Sequence, residues 1–391
     1  MGKLDRSVLS ASSQKSVSPG AIPESRERRD GGIICDTTFK ILQGWIEGKH
    51  PTEEEQEVLI TRELAHKIRA KAFGINRDNC QQLIEARSQL FYSAHANIIQ
   101  WCREQGIEKG ERESLDLLWT FWLPLAIYLA ETRQELGRTP IQGILGGQGT
   151  GKTTLTKILS LLLQHLGYTT ATMSLDDLYK THAERQKLRE ADPRLIWRGP
   201  PGTHDIDLGI KVIDRCLQKE ATEKILIPRF DKSAYNGSGD RTKSEAIASA
   251  DIVLFEGWFL GVRPLTPRTF ERKIEPINTS EDVQFAKDSN ERLKAYLPLW
   301  NKLDRLLVLY PEDYRLGKQW RKEAERQMIA RGHQGMSDIE IDKFVDYFWR
   351  SLHPNLFIKP LINSPNLVDL VVEIKSDRTY GRIYKPELKK K

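Results

Sequence analysis

Residues 140–159 read PIQGILGGQGTGKTTLTKIL, and this stretch decides the fold. The apolar residues before 146 predict a buried strand, and those from Leu155 onward recur at helical spacing. Between them lies G-x-x-x-x-G-K-[ST], whose glycines let the backbone N–H groups curl around an anion. We expect ATP here, with Lys152 on its β- and γ-phosphates and Thr153 ligating Mg²⁺. The predicted nucleotide-binding residues are Gly146, Gly147, Gln148, Gly149, Thr150, Gly151, Lys152, Thr153 and Thr154.

A glycine-rich turn that merely precedes Lys-Thr is the simpler alternative for this stretch. The correct flanks on both sides favour the phosphate-binding interpretation, because such a motif depends on a strand before it and a helix after it.

The composition is that of an ordinary globular protein, with 391 residues, 39% hydrophobic residues and 29% charged residues. The net charge of +6 comes without a basic arm that carries interleaved aromatics, so nucleic acid is not the expected partner. Four widely spaced cysteines suggest neither a disulfide framework nor a zinc site. We therefore expect a reducing, cytoplasmic location; if the Ser-rich N-terminus is a transit peptide, the location is the chloroplast instead.

Three regions are predicted along the chain. Residues 1–33 lack periodicity and are expected to be a disordered tail. Residues 34–137 are expected to be helical, with Thr52 capping one helix. Their most apolar part, 115–132, is too short to span a membrane and contains Pro124, so we expect a kinked, buried helix and no membrane partner. This region is either scaffold or one wall of the substrate cleft or a subunit contact.

Residues 138–391 are expected to form an α/β kinase domain. Apolar runs at 169–175, 224–227, 251–255, 305–310 and 367–374 alternate with helical patterns, which predicts a P-loop NTPase-type parallel sheet with helices on both faces. Ligands of such sheets bind at the carboxyl ends of the strands. The polar residues of interest follow the predicted strands.

Carboxylates follow two of these strands. In SLDDLY (174–179), Asp176 and Asp177 would face the phosphate loop, where one takes a proton from an attacking hydroxyl and one holds a metal-bound water. Glu256 ends a run of four apolar residues and would lie near the metal. The alternatives are a helix cap for the first pair and an incidental strand-end acid for Glu256.

Two loops carry candidate substrate ligands. Arg198 and His204 lie in WRGPPGTHD (197–205), and either could grip an anionic substrate, although Asp205 could equally cap the following helix. The stretch after the 224–227 strand is either a solvated loop or a set of contacts to substrate hydroxyl and carboxylate groups. Its candidate residues are Arg229, Asp231 and Lys232.

An Arg-rich helix begins near Trp320. It is either a solvated face or a lid, around residues 316–335, that closes over the phosphates and excludes water. Arg321 and Arg326 are the lid candidates for stabilising the transferring phosphoryl group.

Seven motifs together resemble the P-loop D-glycerate 3-kinase family of plants and cyanobacteria. They are GGQGTGKTT (146–154), SLDDLY (174–179), WRGPPGTHD (197–205), IPRFDKSAYNGSGDR (227–241), LFEGWFLGVRP (254–264), YLPLWNKLDRLLVL (296–309) and WRKEAERQMIARGHQGMSD (320–338). The family is similar in turn to phosphoribulokinase, uridine kinase and bacterial pantothenate kinase.

The resemblance implies transfer of a phosphoryl group from ATP to the 3-hydroxyl of D-glycerate, a photorespiratory salvage step in phototrophs. It implies that Asp176 is the catalytic base. Beside Thr153 and Glu256 we also predict Asp176 as a metal ligand, and we predict Asp177 and Tyr179 as substrate ligands. One rival is a kinase of this fold with another acceptor, such as uridine, pantothenate or a sugar phosphate, stacked on aromatics such as Phe230. Another is a regulatory ATP-binding protein.

Overall fold

The computed structural model describes residues 34–107, 109–218, 223–330, 332 and 335–387. The predicted tail at 1–33 lies outside these residues, as do positions 331, 333 and 334 of the predicted lid.

A six-stranded sheet forms the centre of the molecule, in the order β2-β5-β1-β6-β7-β8. Neighbouring strands are parallel from β2 to β7, and β8 at the edge is antiparallel to β7. Every residue of β1 and β5 is buried, as expected for strands covered on both faces. The predicted P-loop-type fold is thereby confirmed. The strands are β1 (Ile141–Gly146), β2 (Thr170–Ser174), β5 (Ile252–Gly257), β6 (Arg305–Pro311), β7 (Leu370–Ile374) and β8 (Tyr380–Tyr384).

The predicted strand at 224–227 does not join this sheet. It begins β3 (Ile225–Asp231), which pairs only with β4 (Asp240–Ile247) in a separate antiparallel hairpin. The strand itself is present, but the expectation that it belongs to the parallel sheet was wrong. The physical reason is that β4 is polar and none of its residues is buried, so this hairpin does not need cover on both faces.

Fourteen α-helices are seen in the described residues. In the first part of the chain they are α1 (Asp36–Ile46), α2 (Glu53–Ala65), α3 (Lys67–Ala72), α4 (Cys80–Glu104), α5 (Glu111–Leu117) and α6 (Leu123–Leu136). The rest are α7 (Lys152–His165), α8 (His182–Ala191), α9 (Ile206–Leu217), α10 (Ser280–Arg292), α11 (Leu297–Trp300), α12 (Leu316–Ala330), α13 (Asp338–Ser351) and α14 (Pro354–Leu361). None of the described helices is long and apolar enough to cross a bilayer.

Local sequence explains how the first helices begin. Thr52 accepts a hydrogen bond from the Glu55 amide at 3.2 Å and so caps α2, as predicted. Pro124 lies in the first turn of α6, directly after a single π-type turn at Leu118–Trp122. The backbone stays helical from α5 through this turn into α6, so Pro124 lies inside a continuous helix, where the wider π-type turn accommodates its ring and its missing N–H group.

The helical region covers one face of the sheet. A single buried cluster joins Trp119 and Phe91 of this region to Ile158 of α7 and to Leu307 and Val372 of the strands. A second cluster, which includes Ile213 of α9, covers the other face. The sheet is thus sandwiched, and its strand ends are free to build a site.

Candidate active site

The loop between β1 and α7 has the geometry that the motif predicts. Gly149 and Gly151 adopt φ angles of 73° and 85°, which favour glycine. A Cβ at Gly149 would lie 2.5 Å from the Cβ of Trp320 on α12. Lys152 donates from Nζ to the Gly147 carbonyl at 2.9 Å, so its ammonium group lies over the loop. Gly149 is therefore needed both for the turn and for the close approach of α12.

Thr153 and Glu256 form the candidate metal site. Thr153 is on the first turn of α7 and donates from Oγ1 to Oε1 of Glu256 at 3.1 Å. Glu256 is buried near the end of β5 and faces Ser174 of β2 in the strand register. Hydroxyl and carboxylate oxygens are the ligands that Mg²⁺ prefers, so these two residues fit the ion. They would hold it, directly or through water, beside the phosphates.

Asp176 lies just after β2, in the short 3₁₀ helix Leu175–Leu178 that Ser174 caps. Its Oδ2 accepts from Nζ of Lys232 at 2.6 Å, and the Tyr179 hydroxyl also hydrogen-bonds to it. Burial by itself raises the pKa of Asp176, but Lys232 and Tyr179 together hold it below the ordinary value. Asp176 is therefore an ionised carboxylate with a cation beside it. Its predicted part in metal binding stays a prediction.

Three predicted substrate ligands make contacts within the protein. Asp177 accepts from the Ser174 amide at 2.9 Å and from Arg229 at 2.9 Å. Arg229 also bonds Glu245 at 2.7 Å and the Thr172 carbonyl at 3.0 Å. The Asp231 carboxylate accepts from the amide and hydroxyl of Ser233. These contacts use donors and acceptors of the three residues in the described structure, and their predicted contacts to the substrate stay a prediction.

Arg198 fits the predicted substrate side better. Its guanidinium lies over the rings of Tyr179 and Phe230, at 5.9 and 5.6 Å from their centroids. It also donates to the Gly237 carbonyl at 2.6 Å, which ties it to the tip of the β3–β4 hairpin. In the described part of the chain it has no carboxylate partner, so its charge is available to an anion.

His204 packs against Tyr179, whose ring also lies under the Arg198 guanidinium group. It is 3% exposed and stacks on Tyr179 with ring centroids 4.5 Å apart. Burial lowers the pKa of His204 to about 3, so the imidazole is neutral. Nδ1 lies 2.7 Å from the Tyr296 hydroxyl, whereas Nε2 is buried without a partner among the described residues. Asp205, the next residue, caps α9 through the Leu208 amide, as considered from the sequence.

Sequence reasoning missed two residues that contact this group of side chains, namely Tyr296 and Arg185. Tyr296 belongs to an apolar run, where a tyrosine predicts only packing. Arg185 lies on an amphipathic helix, and it donates to the carbonyls of Ser238 and Gly239 while its guanidinium lies 5.2 Å from the centre of the Phe230 ring. No local pattern marks these residues, because their partners are about 50 to 90 positions away.

The two predicted lid arginines form ion pairs with acidic side chains of α12 and α13. Arg321 bonds Glu325 at 2.7 Å along α12, and Arg326 bonds Asp338 of α13 at 2.6 Å. Trp320 brings α12 against the phosphate loop. A role for both arginines in closing over the phosphates therefore remains a prediction.

Known proteins share much of this chain. D-glycerate 3-kinase of Arabidopsis thaliana, a chloroplastic protein, is 34% identical over 250 residues, which are 60% of this chain and 52% of that protein. An uncharacterized kinase, mug58 of Schizosaccharomyces pombe, is 32% identical over 229 residues, or 56% of this chain and 82% of the relative. The matched part thus spans about half the length of the plant relative and most of the fungal one. No family profile matches the chain.

A solved structure of a similar protein has the same fold. D-glycerate 3-kinase from Cryptococcus neoformans superposes with a TM-score of 0.59 at 25% identity, over 68% of this chain and 98% of that one. Fold and site together define an ATP-dependent P-loop kinase. Within that class, the chain belongs to the family that contains these D-glycerate 3-kinase and fungal kinase relatives.

Proposed function

We propose that the protein phosphorylates D-glycerate at its 3-hydroxyl, with Mg·ATP as the phosphoryl donor. In this reaction the terminal phosphoryl group of ATP moves to the hydroxyl oxygen, and the products are ADP and 3-phosphoglycerate. In a phototroph this is the photorespiratory salvage step. The similarity to proteins named D-glycerate 3-kinase supports the proposal.

The observation that carries the proposal is the set of charges around Asp176. The candidate base is ionised and lies 2.6 Å from Lys232, and Tyr179, which hydrogen-bonds to it, contacts both Arg198 and the neutral His204. A small acid that carries both a hydroxyl and a carboxylate needs such a base next to cations. Asp176 would orient the 3-hydroxyl and take its proton, while Lys232 or Arg198 receives the carboxylate.

The donor side of the reaction uses the phosphate loop. The loop amides and Lys152 would hold the phosphates, while Thr153 and Glu256 would hold Mg²⁺, which supplies neutralisation of charge on the phosphoryl oxygens. In the closed form, Arg321 and Arg326 would exchange their present carboxylate partners for phosphate oxygens. That exchange would exclude water from the transfer.

The contacts of the aromatic rings disfavour a nucleoside acceptor. Phe230 is flanked by Arg185 and Arg198, and Tyr235 stacks on His182 with centroids 4.1 Å apart. Trp197 packs against Tyr347 and Phe344 of α13. Phe230 thus already has guanidinium groups beside the ring on which a base would stack, which favours an anionic acceptor over a nucleoside.

The test is ADP release with Mg·ATP and a panel of acceptors, namely D-glycerate, L-glycerate, uridine, pantothenate and ribulose 5-phosphate. The phosphorylated product is identified by mass, and its phosphate position by comparison with authentic 2- and 3-phosphoglycerate. Selective turnover of D-glycerate to the 3-phosphate is expected. Turnover of another acceptor alone would overturn the substrate but keep the kinase, and ATP binding without any turnover would favour a regulatory role.

A further inference from the structure

We infer that Tyr296 is a positioning residue, which holds His204 with its ring proton on Nε2 and so presents a neutral N–H donor to an oxygen of the acceptor. The identity of that acceptor rests on the proposed function. The state of the imidazole does not, and it can be measured separately.

The hydrogen bonds of Tyr296 fix the direction in which its proton is donated. The phenol oxygen accepts from the Gly202 amide at 2.8 Å and lies 2.7 Å from Nδ1 of His204. A phenol has one proton to donate, and Nδ1 is its acceptor among the described contacts. Tyr296 is 1% exposed, and burial raises its pKa, so the hydroxyl keeps that proton. Nδ1 therefore accepts, and Nε2 carries the N–H.

The surroundings keep the ring in this orientation. Tyr179 stacks on one face of His204 at 4.5 Å, and Phe259 meets it edge-on at 5.5 Å. Rings packed in this way leave little room for rotation of the imidazole. The packing thus preserves the direction of the Nε2–H bond.

The Nε2–H group has no acceptor among the described residues, although it is buried. A buried donor without a partner costs free energy that a ligand oxygen would recover. Asp176 is near enough for its charge to raise the pKa of His204 against the effect of burial. A neutral donor beside a carboxylate matches a hydroxyl group, because a hydroxyl can donate to Asp176 and accept from Nε2–H. An amine or ammonium group would offer a proton to a site that already presents one.

The first experiment reads the tautomer directly. The full chain is labelled with ¹⁵N-histidine, and the ring nitrogens are observed at neutral pH by long-range ¹H–¹⁵N correlation, with His204→Gln used to assign the signals. We expect the Nε2–H form in the wild-type protein. The Nδ1–H form would overturn the inference, whatever the outcome for any variant.

The second experiment removes the hydroxyl. Tyr296→Phe should give a mixture of both tautomers and raise the KM for D-glycerate about tenfold, with the KM for ATP unchanged. Tyr347→Phe is the matched control, because Tyr347 is equally buried and donates to the Trp197 carbonyl at 3.1 Å. It should leave the His204 tautomer as in the wild type. An unchanged tautomer and KM in Tyr296→Phe would contradict the inference.

Failure of the proposed function and failure of the role inferred for Tyr296 give different experimental results. If D-glycerate is not phosphorylated but another acceptor is, the KM comparison is made with that acceptor. If none is phosphorylated, the proposed function fails, while the tautomer in the wild type and in Tyr296→Phe still decides the role of Tyr296.

Discussion

Asp176 is the residue on which the proposed chemistry depends. Replacing it with Asn keeps the size and removes the base, so kcat should fall by about 10²–10⁴-fold while ATP binding and the melting temperature are retained. Asp207→Asn, an exposed change on α9, is the control and should leave the rate within about twofold. A near-normal rate in Asp176→Asn would remove Asp176 as the base.

Lys232 should set the pH range in which Asp176 works. Its charge helps to hold the pKa of Asp176 below the ordinary value, and the base must be ionised to act. Lys232→Met should therefore raise the pKa of Asp176 and move the acidic limb of the kcat/KM profile to higher pH. Lys243→Met, an exposed lysine on the same hairpin, should leave the limb in place. An unshifted limb in Lys232→Met would show that the ion pair does not act on the base.

At the scale of elements, the phosphate loop and α12 constrain each other. Gly149→Ala puts a Cβ 2.5 Å from Trp320 at a φ of 73°, so it should destabilise the protein by about 1–3 kcal/mol and weaken ATP binding. Thermal melting and titration with a fluorescent ATP analogue measure both effects. Gly110→Ala meets nothing within 4 Å and serves as the control. Wild-type ATP affinity in Gly149→Ala would contradict the close approach of α12.

The stability of the protein at low pH depends on an ion-pair cluster that joins α2, α3 and α4. Glu63 is 2% exposed and bonds Arg87 at 2.7 Å and Arg69 at 3.3 Å. Burial alone raises its pKa, but the two arginines lower it to about 2 from an ordinary 4.5. The resulting stabilisation, roughly 3 kcal/mol, is complete above pH 4.5 and is lost as pH falls toward 2.

Chemical denaturation between pH 3 and 6 measures this loss. The protein should lose free energy of unfolding over the lower half of that range, and Glu63→Gln should flatten the slope there. Glu57→Gln, an exposed change on the same helix, should keep the wild-type slope. A wild-type slope in Glu63→Gln would exclude the ion-pair cluster as the cause.

Local patterns predicted the elements whose partners are close in sequence. The strand, loop and helix around Lys152 follow from glycine spacing and apolar periodicity, and Asp176 and Glu256 follow from their places at strand ends. The β3–β4 hairpin did not follow, because a four-residue apolar run fits either kind of sheet. The contact of Tyr296 with His204 spans 92 positions, and no local pattern reports such a contact.

At the scale of the whole molecule, the helical region and the kinase sheet share one core. Besides the common buried cluster, Phe121 of the helical region meets Tyr380 of β8 edge-on at 4.8 Å, and Asn97 bonds His165 of α7 at 3.2 Å. A shared core of this size should unfold as one cooperative unit. A destabilising substitution in the helical region should therefore also destabilise the phosphate loop.

Phe91→Ala tests this coupling, since Phe91 is fully buried between Trp45 and Trp119, far along the chain from Lys152. The cavity should cost about 3–5 kcal/mol, and heat should abolish binding of the fluorescent ATP analogue at the same lowered midpoint as the circular dichroism transition. Ile68→Ala, an exposed change in α3, should move neither midpoint. A shared core transmits the lost packing energy to every element that it contains, so the two midpoints should fall together. If ATP binding in Phe91→Ala kept the wild-type midpoint while helix content was lost at a lower temperature, the two regions would be separate folding units.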